Sequence, residues 1–160
     1  IAVLDGAGTG AKARRSAMMA VALLSSAFKL PLDELLVRCH NAILNSTCER
    51  AVEMCLMRIT PQLVEFVGIG NMGIASRSEP AMSFPMQNGS AGLALPKPIH
   101  ITQNPRPNKF CFALHSDGVS EKNVTSFLSE ENASAHRIAQ LTFDSNSIAN
   151  DDSTIVVVKG

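Results

Sequence analysis

Aspartates lie at three places where apolar segments of the sequence begin or end. Asp5 follows the apolar run IAVL, Asp117 closes the run FCFALHS, and Asp151 and Asp152 come just before STIVVVK. Carboxylate oxygens are the ligands that hard divalent cations such as Mg²⁺ and Mn²⁺ prefer. Asp-Gly pairs are also common turn chemistry, so the spacing alone leaves both interpretations open. Taken together, the positions predict carboxylates at the ends of three separate strands.

A glycine-rich stretch, DGAGTG, follows the first apolar run and precedes a segment of helical composition. Such a turn could hold a nucleotide phosphate, because helix N-termini bind anions. The stretch lacks the Gly-Lys-Ser/Thr ending of a P-loop, and its glycine spacing differs from that of a dinucleotide site. The carboxylate of Asp5, before the first glycine, would also repel a phosphate unless a cation lay between them. The stretch therefore favours a metal ion over a bare phosphate.

A second glycine motif, GIGNMG at 68–73, matches the G-x-G-x-x-G pattern of dinucleotide-binding proteins. That pattern needs a helix directly after it and an acidic residue about 20 positions further on. The residues that follow, IASRSEPAMSFP, contain Pro80 and Pro85 and are poor helix formers. We predict a turn between two strands here, and a nucleotide-binding α/β protein is the weakest of the alternatives.

The composition is that of an ordinary globular protein. The 160 residues are 46% hydrophobic with a formal net charge of zero, which predicts a single domain with a substantial core. Balanced charge argues against a nucleic-acid partner. No apolar run reaches the roughly 20 residues that a membrane helix needs, so a cytoplasmic protein is expected. The cysteines are expected to be buried, reduced thiols, since none forms a C-x-x-C pair: Cys39, Cys48, Cys55 and Cys111.

Apolar spacing and residue propensities predict the order of the elements. The predicted elements are a strand at 1–4, helices at 11–28 and 32–46, a hairpin of strands at 50–60 and 63–70, strands at 72–76 and 109–117, two short helices in 124–131 and 133–143, and a strand at 153–160. The segment 79–108 carries six of the eight prolines, and it is expected to be a loop or flap with a short strand at 99–101.

The helices come in pairs rather than alternating singly with the strands. This order favours an α+β layered fold over a doubly wound parallel sheet. The chain begins inside a predicted strand and without an initiator methionine. We therefore expect N-terminal strands of the domain to be missing from it.

The motifs DGAGTGAKA, VEFVGIGN, LHSDGVSE and NDDSTIVVVK occur in the order found in metal-dependent protein phosphatases of the PPM family (protein phosphatase type 2C-like). The sequence resembles the bacterial SpoIIE-type branch of this family, and within it the compact RsbX-type phosphatases. The resemblance extends over nearly the whole chain, 1–160, and the combination of motifs is specific although each one is weak alone. It implies a four-layer α-β-β-α sandwich with a dinuclear Mn²⁺ or Mg²⁺ site at one end.

The resemblance also implies the roles of the site residues. Asp5 matches the carboxylate that bridges both ions, and Gly6 matches the position whose carbonyl binds the second ion. Asp117 matches the ligand of the S-D-G motif. Asp151 matches the last ligand, and Asp152 stands where many relatives have asparagine. Catalysis would use a metal-activated water held through Asp5, Asp117 and Asp151, so that no protein nucleophile is needed.

The function implied by the resemblance is hydrolysis of phosphoserine or phosphothreonine on a signalling protein of a bacterial stress or sigma-factor pathway. The expected partners are phosphorylated STAS-domain proteins of a stressosome or anti-sigma antagonists, with no nucleic acid and no membrane. The sequence departs from the family in one place, because the additional acidic ligand that relatives carry upstream of D-G-x-G would fall before Ile1. The alternative function is therefore a catalytically impaired, phosphatase-like binding module of the same pathway.

Overall fold

The computed structural model describes residues 1–47, 50–130, 132–149 and 151–160. The strands in this part of the chain are β1 (Ala2–Gly6), β2 (Val52–Ile59), β3 (Leu63–Ile69), β4 (Gly73–Ser78), β5 (Met86–Gln87), β6 (Thr102–Pro105), β7 (Phe110–His115) and β8 (Ile155–Lys159). The helices are α1 (Ala11–Ala27), α2 (Leu32–Leu44), α3 (Val124–Leu128) and α4 (Ala135–Asn146).

The strands form two sheets. In the first sheet β1, β2 and β3 lie side by side and antiparallel, and β5 and β6 both pair with β3. In the second sheet β7 lies between β4 and β8, again antiparallel. The predicted hairpin of β2 and β3 is confirmed. The glycine motif at 68–73 is the connection from β3 to β4, as predicted, and it carries the chain from the first sheet to the second.

The two sheets pack face to face over an apolar core. Strand β7 shows how the alternation of a strand separates two layers. Phe110, Phe112 and Leu114 belong to the core between the sheets, whereas Cys111 and Ala113 belong to a second cluster beneath α3 and α4. Because both of its faces are covered, β7 is buried along its whole length.

Aromatic rings fill the centre of the space between the sheets. The ring of Phe84 lies 5.2 Å from that of Phe66 in the first sheet and 5.3 Å from that of Phe112 in the second, edge to face in both cases. Edge-to-face pairs at this distance add about 0.5–1.5 kcal/mol to the gain from burial alone. Phe84 comes from the proline-rich segment, so part of that segment belongs to the core.

The helices cover the outer faces of the sheets in two pairs. Helices α1 and α2 pack on the first sheet through a cluster that includes Leu36, Ile43 and Met54. Helices α3 and α4 pack on the second sheet around Ile138. The α-β-β-α sandwich predicted from the sequence is therefore confirmed. Within the described ranges, no helix is both long and apolar enough to cross a membrane.

The short strand predicted at 99–101 is wrong, because the strand in this region is β6 at 102–105. The side chain of Gln87 explains the difference. It accepts a hydrogen bond of 2.8 Å from the backbone N–H of His100 and donates one of 2.9 Å to the carbonyl of the same residue. These bonds occupy the backbone groups that a strand would have used in a sheet.

Three cysteines are buried free thiols, as predicted: Cys39, Cys55 and Cys111. Burial raises the pKa of Cys39 to about 11 and that of Cys55 to about 12, so both are protonated at neutral pH. Cys48 lies outside the described residues.

Candidate metal centre

Asp5 lies inside β1, one residue before the end of the strand, rather than after it as the sequence suggested. In the antiparallel pair of β1 and β2 it is directly opposite Glu53. The next residue, Gly6, is packed closely against the first turn of α1, because a Cβ built there would lie 2.4 Å from the carbonyl oxygen of Ala13. Only glycine allows strand and helix to approach this closely beside Asp5.

Two glycines then turn the chain from β1 into α1. Gly8 has φ +79° and Gly10 has φ +85°, values that L side chains rarely adopt. The carbonyl of Gly10 accepts the first helical hydrogen bond, 3.1 Å from the backbone nitrogen of Arg14. Glycine at these two positions therefore permits the tight connection, as the pattern DGAGTG indicated.

Asp117 and Asp151 are carried by two connected segments of the second sheet. Ser116, just after β7, donates a hydrogen bond of 3.2 Å from its hydroxyl to the carbonyl of Asp152 and accepts one of 3.0 Å from the N–H of Thr154. The residue before Asp117 is therefore hydrogen-bonded to the residue after Asp151.

A second link runs in the opposite direction between the same two segments. The hydroxyl of Ser153 donates a bond of 2.6 Å to the carbonyl of Gly118. A Cβ at Gly118 would lie 2.4 Å from the carbonyl oxygen of Asp152. The turn after β7 and the approach to β8 are thus in direct backbone contact, and glycine at 118 is required for it.

The charges of the predicted site residues act on one another across the two sheets. The pKa of Asp5 is raised from 3.8 to about 6, first by burial and then by the negative charges of Asp117, Glu53, Asp151 and Asp152, in that order. Each of these charges makes it harder to ionise Asp5 in the absence of a cation. Asp5 of the first sheet thus lies within electrostatic reach of the acidic residues beside the second.

This donor set fits a hard divalent cation by chemistry and by charge. All the side chains are carboxylates, and the excess of negative charge around Asp5 is what a bound dication would compensate. Within the part of the chain that the structure describes, however, no group of three or more His, Cys, Asp or Glu side chains is arranged to hold a metal ion. The carboxylates are neighbours at one edge of the sandwich rather than a closed coordination shell.

The acidic edge is open to solvent. Asp117, Asp151 and Asp152 are exposed, and Asp5 and Glu53 are partly buried. A cavity of about 640 Å³ lies elsewhere, where the N-terminal residue Ile1 meets β8, and none of these acidic residues lines it. Small-molecule sites are usually concave and enclosed. An open acidic edge is instead accessible to a side chain on the surface of another macromolecule.

Two residues of this edge were not singled out from the sequence. Glu53 interrupts the apolar run AVEMCLMRI, and a charged residue inside a strand of a buried sheet was the signal that could have revealed it. Ser116 is the serine of the S-D-G motif, but the motif does not indicate its role, because that role depends on a hydrogen bond to a residue 36 positions away.

No protein-family model matches the chain. No curated protein matches it either. Solved structures do match. A chain from a study of the bacterial stressosome, described as a modular system adapted to control secondary messenger signalling, is similar with a TM-score of 0.84 and 25% identity, over 98% of this chain and 82% of that one.

Two further solved structures have the same fold. RsbX, in a crystal with magnesium, matches with a TM-score of 0.79 and 20% identity over 98% of this chain and 78% of its own. The catalytic domain of the serine/threonine protein phosphatase PstP, in complex with two manganese ions, matches with a TM-score of 0.75 and 16% identity over 99% of this chain and 85% of its own. The chain has the fold of the PPM-family phosphatases.

Proposed function

We propose that this protein is a metal-dependent serine/threonine phosphatase of the PPM type. The observation that supports the proposal is that the charges of Asp117 and Asp151, beside the second sheet, act on Asp5 in the first, in a fold shared with metal-containing phosphatases. These three aspartates and the carbonyl of Gly6 would hold two Mn²⁺ or Mg²⁺ ions.

The charge of the site explains why the ions would be needed. A phosphorylated side chain carries up to two negative charges at neutral pH and would be repelled by the carboxylates around Asp5. When bound, the two ions would neutralise this repulsion, lower the pKa of a bound water and stabilise the phosphoryl oxygens. The role of this chain's own residues is to fix the positions of the ions and to leave the edge open to the substrate.

A phosphoprotein is the substrate class that the open edge supports. Phosphoserine or phosphothreonine on a protein surface can reach an exposed acidic edge without entering a cavity. The similarity to a chain from the stressosome and to RsbX supports a signalling protein of a bacterial stress pathway as the partner. We propose a phosphorylated STAS-domain protein or an anti-sigma antagonist, the partners that the sequence resemblance implies.

Release of phosphate from a phosphoserine protein and from an aryl phosphate, with Mn²⁺ and with EDTA, tests the proposal. We expect activity with Mn²⁺ only, and a loss of at least about 100-fold in Asp117→Asn, since removing a ligand charge impairs both metal binding and catalysis. Asp144→Asn is the matched control, because Asp144 is exposed on α4. Full activity of Asp117→Asn would contradict the assignment.

The alternative is a phosphatase-like binding module without catalysis. One observation favours it, namely that no three acidic side chains among the described residues are arranged to hold an ion. Calorimetric titration with Mn²⁺ separates the two functions. A phosphatase should bind Mn²⁺ saturably, with loss of binding in Asp5→Asn, whereas a binding module should take up the phosphoprotein equally well in EDTA.

A further inference from the structure

We propose that Glu53 is a functional residue of the metal centre, which contributes its charge to holding a divalent cation beside Asp5. This inference rests on the proposed function and names a residue of the same site. Two observations and an electrostatic argument support it: the position of Glu53 in the sheet, the way its side chain is fixed, and the repulsion between its charge and that of Asp5.

The position of Glu53 is set by the register of the first sheet. Glu53 on β2 and Asp5 on β1 are a directly opposed pair, and side chains of such a pair project to the same face with Cβ atoms about 5 Å apart. The alternation of side chains along each strand shows towards which face the two carboxylates project. Asp5 is two residues from Val3, and Glu53 is two residues from Cys55, and both apolar residues belong to the core between the sheets. The two carboxylates therefore project towards the side on which the second sheet lies.

The side chain of Glu53 is fixed by the turn between β3 and β4. Its Oε2 accepts a hydrogen bond of 2.7 Å from the backbone N–H of Asn71. It also lies against the bare Cα of Gly70, where a Cβ would come within 2.3 Å of the Glu53 Cδ. A long acidic side chain on a surface strand normally samples several rotamers. Here the turn keeps the carboxylate in one place, as a preorganised site requires.

The negative charge of Glu53 destabilises the folded protein. The hydrogen bond to Asn71 does not depend on that charge. Like charges directly opposed on neighbouring strands destabilise a sheet. A glutamine would accept the same hydrogen bond from Asn71 without adding a negative charge beside Asp5. A bound dication turns this repulsion into attraction, so a negative charge fixed opposite Asp5 is useful to an ion-binding site.

The test compares Glu53→Gln with the wild type by calorimetric titration with Mn²⁺ alone. The glutamine keeps the size of the side chain and the bond to Asn71. We expect the dissociation constant for Mn²⁺ to rise about tenfold or more, with no loss of stability in urea. Glu65→Gln is the control: Glu65 lies on β3 opposite Arg58, to which it is paired at 3.3 Å, and its charge does not act on Asp5.

A second variant tests separately whether Gly70 helps to fix the side chain of Glu53. Gly70→Ala places a methyl group where the Glu53 side chain lies, at a backbone φ of +86°. If Gly70 acts through Glu53, Gly70→Ala should weaken Mn²⁺ binding in the wild-type background and add little in the Glu53→Gln background. Equal effects in both backgrounds would contradict this part of the inference.

The outcomes distinguish the inference from the function on which it rests. Wild-type protein that binds no Mn²⁺ would overturn both. Wild-type protein that binds Mn²⁺ and hydrolyses phosphoserine, together with unchanged Mn²⁺ affinity in Glu53→Gln, would overturn only the role of Glu53.

Discussion

The hydroxyl of Ser116 donates a hydrogen bond of 3.2 Å to the carbonyl of Asp152 and so connects the segments that carry two of the predicted metal ligands. Ser116 is almost fully buried, with 1% of its surface exposed. Ser116→Ala would leave the N–H of Thr154 and the carbonyl of Asp152 without this partner. We expect a loss of about 1–3 kcal/mol in the free energy of unfolding, and weaker Mn²⁺ binding, because Asp117 and Asp151 lose their common support.

Urea denaturation and Mn²⁺ calorimetry measure the two effects of Ser116→Ala. Ser26→Ala is a suitable control, since Ser26 also bonds to a backbone carbonyl but is exposed on α1. Wild-type Mn²⁺ affinity in Ser116→Ala would show that the link does not support the site.

The stability of the metal-free protein should depend on the ionisation of Asp5. The pKa of Asp5 is raised from 3.8 to about 6 in the folded protein, so between these values the folded state binds a proton that the unfolded state has released. This contribution to stability therefore falls as the pH rises from about 4 to about 6, and it stays unfavourable above that range.

Asp5→Asn removes this unfavourable contribution. In EDTA above pH 6 we expect the variant to be more stable than the wild type by on the order of 1 kcal/mol, less than the full shift implies, because the carboxyl is only partly buried and solvent screens the repulsion. In the presence of Mn²⁺, the same variant should have lost its phosphatase activity. Urea denaturation of both proteins between pH 4 and 8 checks the prediction, and a constant difference across that range would contradict it.

Gly73 at the start of β4 cannot carry a side chain. A Cβ there would lie 2.0 Å from the ring of His115, its partner on β7. The ring of His115 is buried and bonded through Nδ1 to the carbonyl of Ser116 at 2.9 Å, so it has no room to move away. We expect Gly73→Ala to lower the free energy of unfolding by more than about 2 kcal/mol.

Gly10→Ala is the comparison for Gly73→Ala. Gly10 has φ +85° and ψ −164° but open space around its Cα, so alanine there should cost about 1–2 kcal/mol, from backbone strain alone. Thermal or urea unfolding should rank Gly73→Ala as the more destabilised variant, and the reverse order would show that the close approach to His115 is easily relieved.

Phe112 lies at the centre of the core between the sheets. It is fully buried, and its ring stacks on that of Phe110 at 4.9 Å besides contacting Phe84. Phe112→Ala should lower the free energy of unfolding in urea by about 3–5 kcal/mol. The substitution leaves a cavity between the two sheets, and the sheets cannot move together to fill it. Phe28→Ala serves as the control, since Phe28 is 61% exposed, and its effect should stay below about 1 kcal/mol.

Much of this fold was predictable from local patterns. The paired helices were visible as helical apolar spacing, and the hairpin of β2 and β3 as two apolar runs around Pro61. The glycine motif at 68–73 was correctly predicted to be a turn between two strands, because the residues after it are poor helix formers. These features depend on residues close together in the sequence, and propensity and periodicity report on such residues well.

The features that could not be predicted from the sequence depend on contacts between residues far apart in the chain. The strand β6 has the polar sequence TQNP and forms because it pairs with the edge of β3, while the more apolar 99–101 is held by Gln87. In the same way, the sequence predicts aspartates at strand ends but not that Glu53 stands opposite Asp5. That relationship follows from the register of β1 and β2, which no single segment contains.

The acidic edge draws Asp5 from one sheet and Asp117 and Asp151 from the other. A cation bound there would act as a cross-link between the two halves of the sandwich and would offset the repulsion that these carboxylates exert on Asp5. Loading with Mn²⁺ should therefore slow amide hydrogen exchange in β1 and in the turn after β7 together, while exchange in α3 and α4 stays nearly unchanged. Binding of the cation would in this way stabilise the contact between the two sheets at this edge.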